Sequence, residues 1–329
     1  MKQITTIALA ASLAIPIAFG APASAEEDRL NVIFTTHAAN ANTFWLTVKK
    51  GMDEACELYD AECQMIFAPA SADVPGQISN IQAAIAQNPD MIVTSIVNDR
   101  AFDEVIQEAT DRGIAVIAAN VDDRDGAKGN ARLAYVGQSF VAAGQSLGRR
   151  VAADFPNDGP IRVLVGVNSP SGNWSRSRAD GVILALEEWK AENPDRDISW
   201  DEIDAGLDYA TTGDRFGNYL TTEPGLNAYF DTGFWDVGAV NVLEERGIEP
   251  GEIILAGFDL VPDVITQMKA GYIQYHVDQQ PYLQGYAPIV QAYLIRNFGL
   301  AAFDVDAGSA IVAADQAERI EELSIAGYR

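Results

Sequence analysis

The sequence predicts an α/β protein of two doubly wound parallel-sheet domains, Rossmann-like in their alternation of strand and helix. Three observations predict this. Short, nearly continuous apolar runs alternate with longer helical patterns, as strands buried on both faces require. The alternation occurs in two rounds, with the turn-rich Pro156-Asn157-Asp158-Gly159-Pro160 between them. The length, about 304 residues once the first 25 are set aside, exceeds what one core usually holds.

In the first round "LNVIFTT" precedes an amphipathic helix over 44–59, "QMIFAPA" precedes a helix over 74–87, and "DMIVTSIV" precedes one over 101–112. "IAVIAANV" and "LAYVGQ" follow, then a helix near 139–154. The second round pairs "IRVLVGVN" with 175–191, "ISWDEID" with 212–222, "NAYFDTG" with 236–246 and "IILAGFD" with 261–270. After Gly271 come "YIQYHVDQQ", a helix over 281–298 and a last strand near 309–313. That tail is too short for a third domain, so it crosses back between the two.

The first 25 residues have a different character. Lys2, an apolar run from Ile4 to Phe19 and small residues closing on Ala23-Ser24-Ala25 form the layout of a secretory signal, with cleavage after Ala25. The alternative, a membrane anchor, is disfavoured: the run is short for a span and is followed by "EEDRL". No Cys follows the cleavage site to carry a lipid, so the mature chain is expected to be exported, soluble and not inserted in a membrane.

Cleavage removes Lys2 and no acid, taking the net charge from -25 to -26. Such a chain repels phosphate backbones and anionic lipid, and the charge keeps it soluble and monomeric. Export favours a Cys56–Cys63 disulfide over two inert thiols.

Open α/β sheets bind ligands at the carboxyl ends of their strands. The exits read from the sequence are 37–45, 71–75, 98–100, 120–123, 168–178, 206–209, 231–235 and Asp259, rich in Asn, Asp, Arg, Trp and Phe. Carboxylates and amides pair with vicinal hydroxyls, a guanidinium donates two hydrogen bonds at once, and aromatic faces cover the C–H face of a sugar ring. That chemistry suits a neutral, polyhydroxylated ligand. No HExxH or P-loop motif is present, no G-x-G-x-x-G opens the first helix, the serines of "GVNSPSG" do not form a G-x-S-x-G elbow, and the chain holds only two histidines, His37 and His276. "DDRDG", at Asp122–Gly126, opens like a calcium loop but lacks the closing Glu, so it reads as a solvated turn. No catalytic residue, metal or cofactor is assigned.

Four segments in order, "TFWLTVKKGMDEA", "SRSRADG", "LAGFDLVPD" and "HVDQQPYLQGY", resemble the ribose-binding type of periplasmic sugar-binding protein, the type I periplasmic fold of ABC-importer solute receptors. The resemblance implies two lobes joined by a three-segment hinge, near 136–139, 277–280 and 305–308, that closes on a ligand in the cleft. It implies an N-terminal lobe of 26–137 plus 280–307 and a C-terminal lobe of 138–279 plus 308–329.

Residue by residue, the resemblance carries ligand contacts onto Asn42, Phe44, Trp45, Asn120 with Asp122 two residues on, Arg178, Asp259 and Gln279. Departures lie at Val121, where an Arg is common, at Thr232-Gly233-Phe234, where Asn-Asp is usual, at Trp174, and in a longer first loop bearing His37. His37, Trp174 and Thr232 therefore join the candidate set, and ribose itself is put in doubt. Trp189, Trp200 and Trp235 read as packing residues. The implied function is capture of a monosaccharide or polyol in the periplasm and its delivery to an ABC permease. The alternatives are a sensor presenting sugar to a chemoreceptor or receptor kinase, and, behind it, a secreted sugar-active enzyme.

Overall fold

The computed structural model describes residues 29–40, 42–308 and 310–329. The signal segment lies outside the described residues.

The first sheet contains β1 (Asn31–Thr35), β2 (Glu62–Ile66), β3 (Met91–Thr94), β4 (Ala115–Asn120), β5 (Ala134–Gly137) and β11 (Val305–Asp306). Their order is β11-β5-β4-β3-β1-β2, all parallel. The second sheet contains β6 (Ile161–Val167), β7 (Ile198–Asp204), β8 (Ala228–Asp231), β9 (Ile254–Phe258), β10 (Ile273–Asp278) and β12 (Ala310–Ala313). Its order is β12-β10-β9-β8-β6-β7, with only β12 antiparallel to its neighbour.

Alternate residues of each strand serve opposite faces. In β1, Val32 and Phe34 pack with α1 (Thr43–Leu58) and α9 (Pro281–Phe298), whereas Ile33 packs with α2 (Val74–Ala86) and α3 (Asp103–Asp111). In β6, Val163 and Val165 pack beneath α4 (Phe140–Ala152) and α5 (Asn173–Glu192). Leu164 joins Phe216 of α6 (Tyr209–Thr222) and Val240 of α7 (Asp236–Arg246) on the other face. Two-faced burial explains the unbroken apolar runs in the sequence.

Glycines set the closest helix contacts. A Cβ at Gly285 of α9 would overlap the Val48 carbonyl of α1, and one at Gly144 of α4 would overlap the Arg178 carbonyl of α5. Both α1 and α5 carry candidate site residues at their N-terminal ends.

The chain passes between the sheets three times: from β5 to α4 through Gln138 and Ser139, from β10 to α9 through Gln279 and Gln280, and from β11 to β12. Gln138 Nε2 donates to the Gly308 carbonyl at 2.9 Å, and Gln280 Nε2 to the Ala307 carbonyl at 2.6 Å. Side-chain amides thus tie the first and second passages to the third. The Pro156–Pro160 turn corrects its sequence reading: it joins α4 to β6, after the chain has already crossed. Two elements were not anticipated, the short β11 and a last helix, α10 (Ala317–Ile325), packed on α8 (Pro262–Ala270). Cys56, near the end of α1, is bonded to Cys63 in β2.

Candidate functional site

Asn42 caps α1: its Oδ1 accepts from the Phe44 amide at 3.1 Å, satisfying a donor that the first helical turn leaves free. The cap fixes where Phe44 and Trp45 begin. Their rings meet edge to face at 5.6 Å, and Trp45 meets His37 in the same way at 5.3 Å. His37 Nδ1 lies 2.9 Å from Ser95 Oγ. Burial, and then the Arg178 guanidinium, pull the His37 pKa down to about 3, so the ring is neutral near pH 7.

At the exit of β4, Asn120 adopts φ +68°, a left-handed conformation that Asn tolerates. Tyr135 Oη donates to the Asn120 carbonyl at 2.7 Å. Asn120 Nδ2 donates to Gln284 Oε1 at 3.0 Å and to Gln279 Oε1 at 3.3 Å. Gln279 Nε2 in turn donates to Asp259 Oδ1 at 2.6 Å. Asp259 follows β9, also left-handed at φ +76°. An amide–amide–carboxylate chain therefore runs from the exit of the first sheet, through a crossing segment, to the exit of the second. Burial raises the Asp259 pKa, while Arg178 and Gln279 act in the opposite direction.

Arg178 projects from α5 and is 2% exposed. Its Nη1 donates to the Thr232 carbonyl at 2.9 Å and its Nη2 to Gln138 Oε1 at 3.3 Å. The guanidinium lies over Phe258 at 4.2 Å, Phe140 at 4.9 Å and Trp174 at 5.6 Å. Burial lowers its pKa to about 10, which leaves it charged near pH 7. Its Nε–H is buried and has no protein acceptor.

One cavity between the sheets is lined by His37, Asn42, Phe44, Trp45, Asn120, Trp174, Arg178, Asp259 and Gln279. Its volume is about 40 Å³, far below the ~300–1,000 Å³ of cavities that hold small ligands. A ring-sized ligand therefore needs the lobes to part before it enters.

Two candidates stand apart from this cavity. Asp122 is held by Arg132, with Nε to Oδ1 at 2.6 Å and a second contact from Nη2 to Oδ2, and it lines an open groove beside the β5–α4 crossing. Burial raises its pKa against the pull of that arginine. The Thr232 hydroxyl is occupied by Asn168 Oδ1 and Ser175 Oγ, each at 2.8 Å; only its carbonyl reaches the site, through Arg178.

Sequence reasoning missed Gln138, Gln284 and Phe140. Gln138 stands at the exit of β5, a four-residue strand, and carries neither charge nor aromatic ring. Trp235, read as a packing residue, instead lines the cavity, stacked on Phe234 at 4.5 Å and tilted against Trp174 at 6.2 Å. Among the described residues, no group of three or more His, Cys, Asp or Glu side chains is placed to hold a metal ion, and no helix is long and apolar enough to cross a membrane.

Two α/β lobes with a narrow cavity between their strand exits define a two-lobed binding protein of the type I periplasmic fold. The chain belongs to the periplasmic binding protein family, whose domain matches residues 32–299. It is 29% identical over 301 residues to the xylose/arabinose-binding protein of Sulfolobus acidocaldarius, covering 87% of this chain and 72% of that one. A periplasmic sugar-binding protein of an ABC sugar transporter from Legionella pneumophila superposes with a TM-score of 0.77 at 25% identity, covering 85% of this chain and all of the other. The carbohydrate transporter from Acidothermus cellulolyticus in complex with myo-inositol superposes with a TM-score of 0.78 at 23% identity, over 92% of this chain and all of that one.

Proposed function

We propose that the chain is a solute receptor that captures a monosaccharide or polyol between its lobes and presents it to an ABC permease. The observation carrying this reading is the chain Asn120–Gln279–Asp259, set beside Arg178 and walled by Phe44, Trp45, Trp174 and Trp235. Its polar groups are amide, carboxylate and guanidinium, which pair with hydroxyls, and its walls are flat and apolar. The orphaned Arg178 Nε–H is a buried donor that a ligand oxygen can satisfy.

The lobes of this reading are 26–137 with 280–307, and 138–279 with 308–329. Opening and closing occur at the three crossings, and ligand that contacts both lobes shifts the population toward closure. The receptor acts in the periplasm after cleavage behind Ala25, as a monomer, without nucleic acid, cofactor or chemical turnover. The xylose/arabinose-binding relative and the myo-inositol complex supply the first sugars to try.

A thermal-shift screen over monosaccharides and polyols tests the reading. A ligand at a hundredfold over its Kd adds about 2.7 kcal/mol of stability. For the sugar so found, Arg178→Ala and Asp259→Ala should each cost about 2–4 kcal/mol of binding. If both variants bind like wild type, these residues are not the site.

A further inference from the structure

Beneath Asp259 lies a buried cluster that ligand contact alone does not account for. His276 of β10 and Asp236, the first residue of α7, are both fully buried. His276 Nε2 lies 2.8 Å from Asp236 Oδ2, and His276 Nδ1 lies 2.6 Å from the backbone carbonyl of Asp259. The imidazole sits against Gly257, its register partner on β9. A Cβ there would come within 2.8 Å of His276 Nε2, so glycine leaves the space for the ring.

Both ring nitrogens thus face oxygen acceptors. A carbonyl oxygen can only accept, so Nδ1 carries a proton. A neutral ring would then turn the bare Nε2 lone pair toward Asp236. With Nδ1 donating to the Asp259 carbonyl and Asp236 Oδ2 lying 2.8 Å from Nε2, the geometry matches a ring protonated on both nitrogens. The arrangement is an imidazolium donating to a carboxylate on one side and to a carbonyl on the other. An anion buried alone is costly, and this pair is neutral as a whole.

We propose that His276 is a positioning residue for the ligand-binding carboxylate: with Asp236 it forms a proton-holding pair that clamps the backbone of Asp259 in its left-handed turn. The proposal rests on reading the cleft as a ligand site. Asp259 at φ +76° is held from behind by His276 and from the side by Gln279, so the direction of its carboxylate depends on the clamp.

The charged and titratable groups around the ring come from several elements. Asp236 faces it from α7 and Asp259 from the β9 exit. Asp231 of β8 stands behind Asp236, with Tyr229 bonded to it at 2.8 Å. Val312, the register partner on β12, brings no charge. Burial alone acts against the protonated ring, but Asp236 and the Asp259 carbonyl outweigh it and raise the His276 pKa. Burial, and then Asp236, push Asp231 up to about 7, so two carboxylates share the interior with one imidazolium.

The test uses the full-length mature protein with ¹⁵N-labelled histidine. The chain has two histidines, and the His37→Gln variant leaves His276 as the only signal. Both ring nitrogens should carry slowly exchanging protons from pH 6 to 8, and the ring should lose one only at alkaline pH. The probe for binding is D-xylose, followed by tryptophan fluorescence between pH 6 and 10. Wild-type affinity should fall as the pair loses its proton.

His276→Phe should weaken D-xylose binding about tenfold. His276→Gln, whose amide keeps one N–H for the Asp259 carbonyl, should recover part of that loss. Below pH 9, where Arg178 stays charged, neither variant should show that fall. A neutral imidazole between pH 6 and 8, or variants matching wild type in affinity and pH profile, overturns the proposal. If wild type binds no neutral sugar at any pH, the sugar-receptor reading has failed, and the histidine spectra decide the proton-holding pair on their own.

Discussion

Arg178 Nη2 lies 3.3 Å from Gln138 Oε1, at the point where the chain first passes from one sheet to the other. The Gln138 amide nitrogen at the same time donates to the Gly308 carbonyl on the third passage at 2.9 Å. One side chain thus ties the buried cation of the second lobe to two of the three crossings. The angle between the lobes and the position of the guanidinium are set together.

Gln138→Leu therefore separates positioning from contact. Losing the amide removes one acceptor from Arg178 and one donor from the crossing, at about 1 kcal/mol for each hydrogen bond. Calorimetric titration with the cognate sugar should show affinity reduced about tenfold, less than for Arg178→Ala. Unchanged affinity would mean that the Arg178 pose does not depend on the crossing.

Thr232 and Asp122 should behave as residues of stability rather than of binding. Thr232→Val strands the Asn168 amide, which donates to the Thr232 hydroxyl at 3.0 Å, and the Asn168 Oδ1 it served; the expected cost is about 1–3 kcal/mol. Asp122→Asn weakens the partner of Arg132, whose side chain is 3% exposed, at about 3 kcal/mol. Denaturation midpoints should fall in both variants while sugar affinity stays within about twofold of wild type, roughly 0.4 kcal/mol. A large loss of affinity with unchanged stability would return either residue to the site.

His37 makes the fold sensitive to acid in a defined direction. Its pKa is about 3 in the folded protein, against about 6.5 unfolded. Between those values the unfolded chain binds more protons, so stability is fully present above about pH 6.5 and is lost as pH falls toward 3. Thermal melts of wild type and His37→Gln over pH 3–8 check this. The variant should lose less on acidification, by about 1–3 kcal/mol, and differ at pH 8 by the Ser95 hydrogen bond and the Trp45 ring contact, about 1–2 kcal/mol together. Parallel acid limbs would show that the ring stays solvated.

The inner strands were legible because their apolar runs, as in β3, β6 and β8, are buried on both faces, and period and length then separate strand from helix. The helix over 281–298 was read through its internal Pro288, which the structure accommodates within α9. β11 escaped because two residues carry no period, and α10 because its apolar face is short. In the site, residues at the mouths of long strands were found from strand-exit position together with the family resemblance. Gln138 and Gln284 were not, because a glutamine announces neither charge nor aromatic bulk, and its role depends on which partner a crossing brings near. Trp235 looked like packing because it follows a strand as a core aromatic would; it stands instead at the N-terminus of α7, stacked on Phe234 and lining the cavity. Asp122 shows the opposite failure, an acid in the right segment whose partner, Arg132, lies ten residues on.

The approach of α4 to α5 is what places Arg178 in the cleft, and Gly144 permits it. A methyl group at this position overlaps the Arg178 carbonyl, a backbone atom that cannot rotate away. Gly144→Ala must therefore either spread the two helices or shift the first turns of α5, on which Arg178 stands. Overpacking of this kind costs about 1–3 kcal/mol, and an N–H that must reach the Thr232 carbonyl at 2.9 Å is sensitive to shifts of a few tenths of an ångström. The variant should lose both melting temperature and sugar affinity. Gly225→Ala is the matched control, since no atom lies within 4 Å of its added methyl; its stability should stay within about 0.5 kcal/mol of wild type. If Gly144→Ala melts lower yet binds with wild-type affinity, the helices relax without moving Arg178, and the pose of the cation is fixed by Gln138 and Thr232 rather than by the α4–α5 contact.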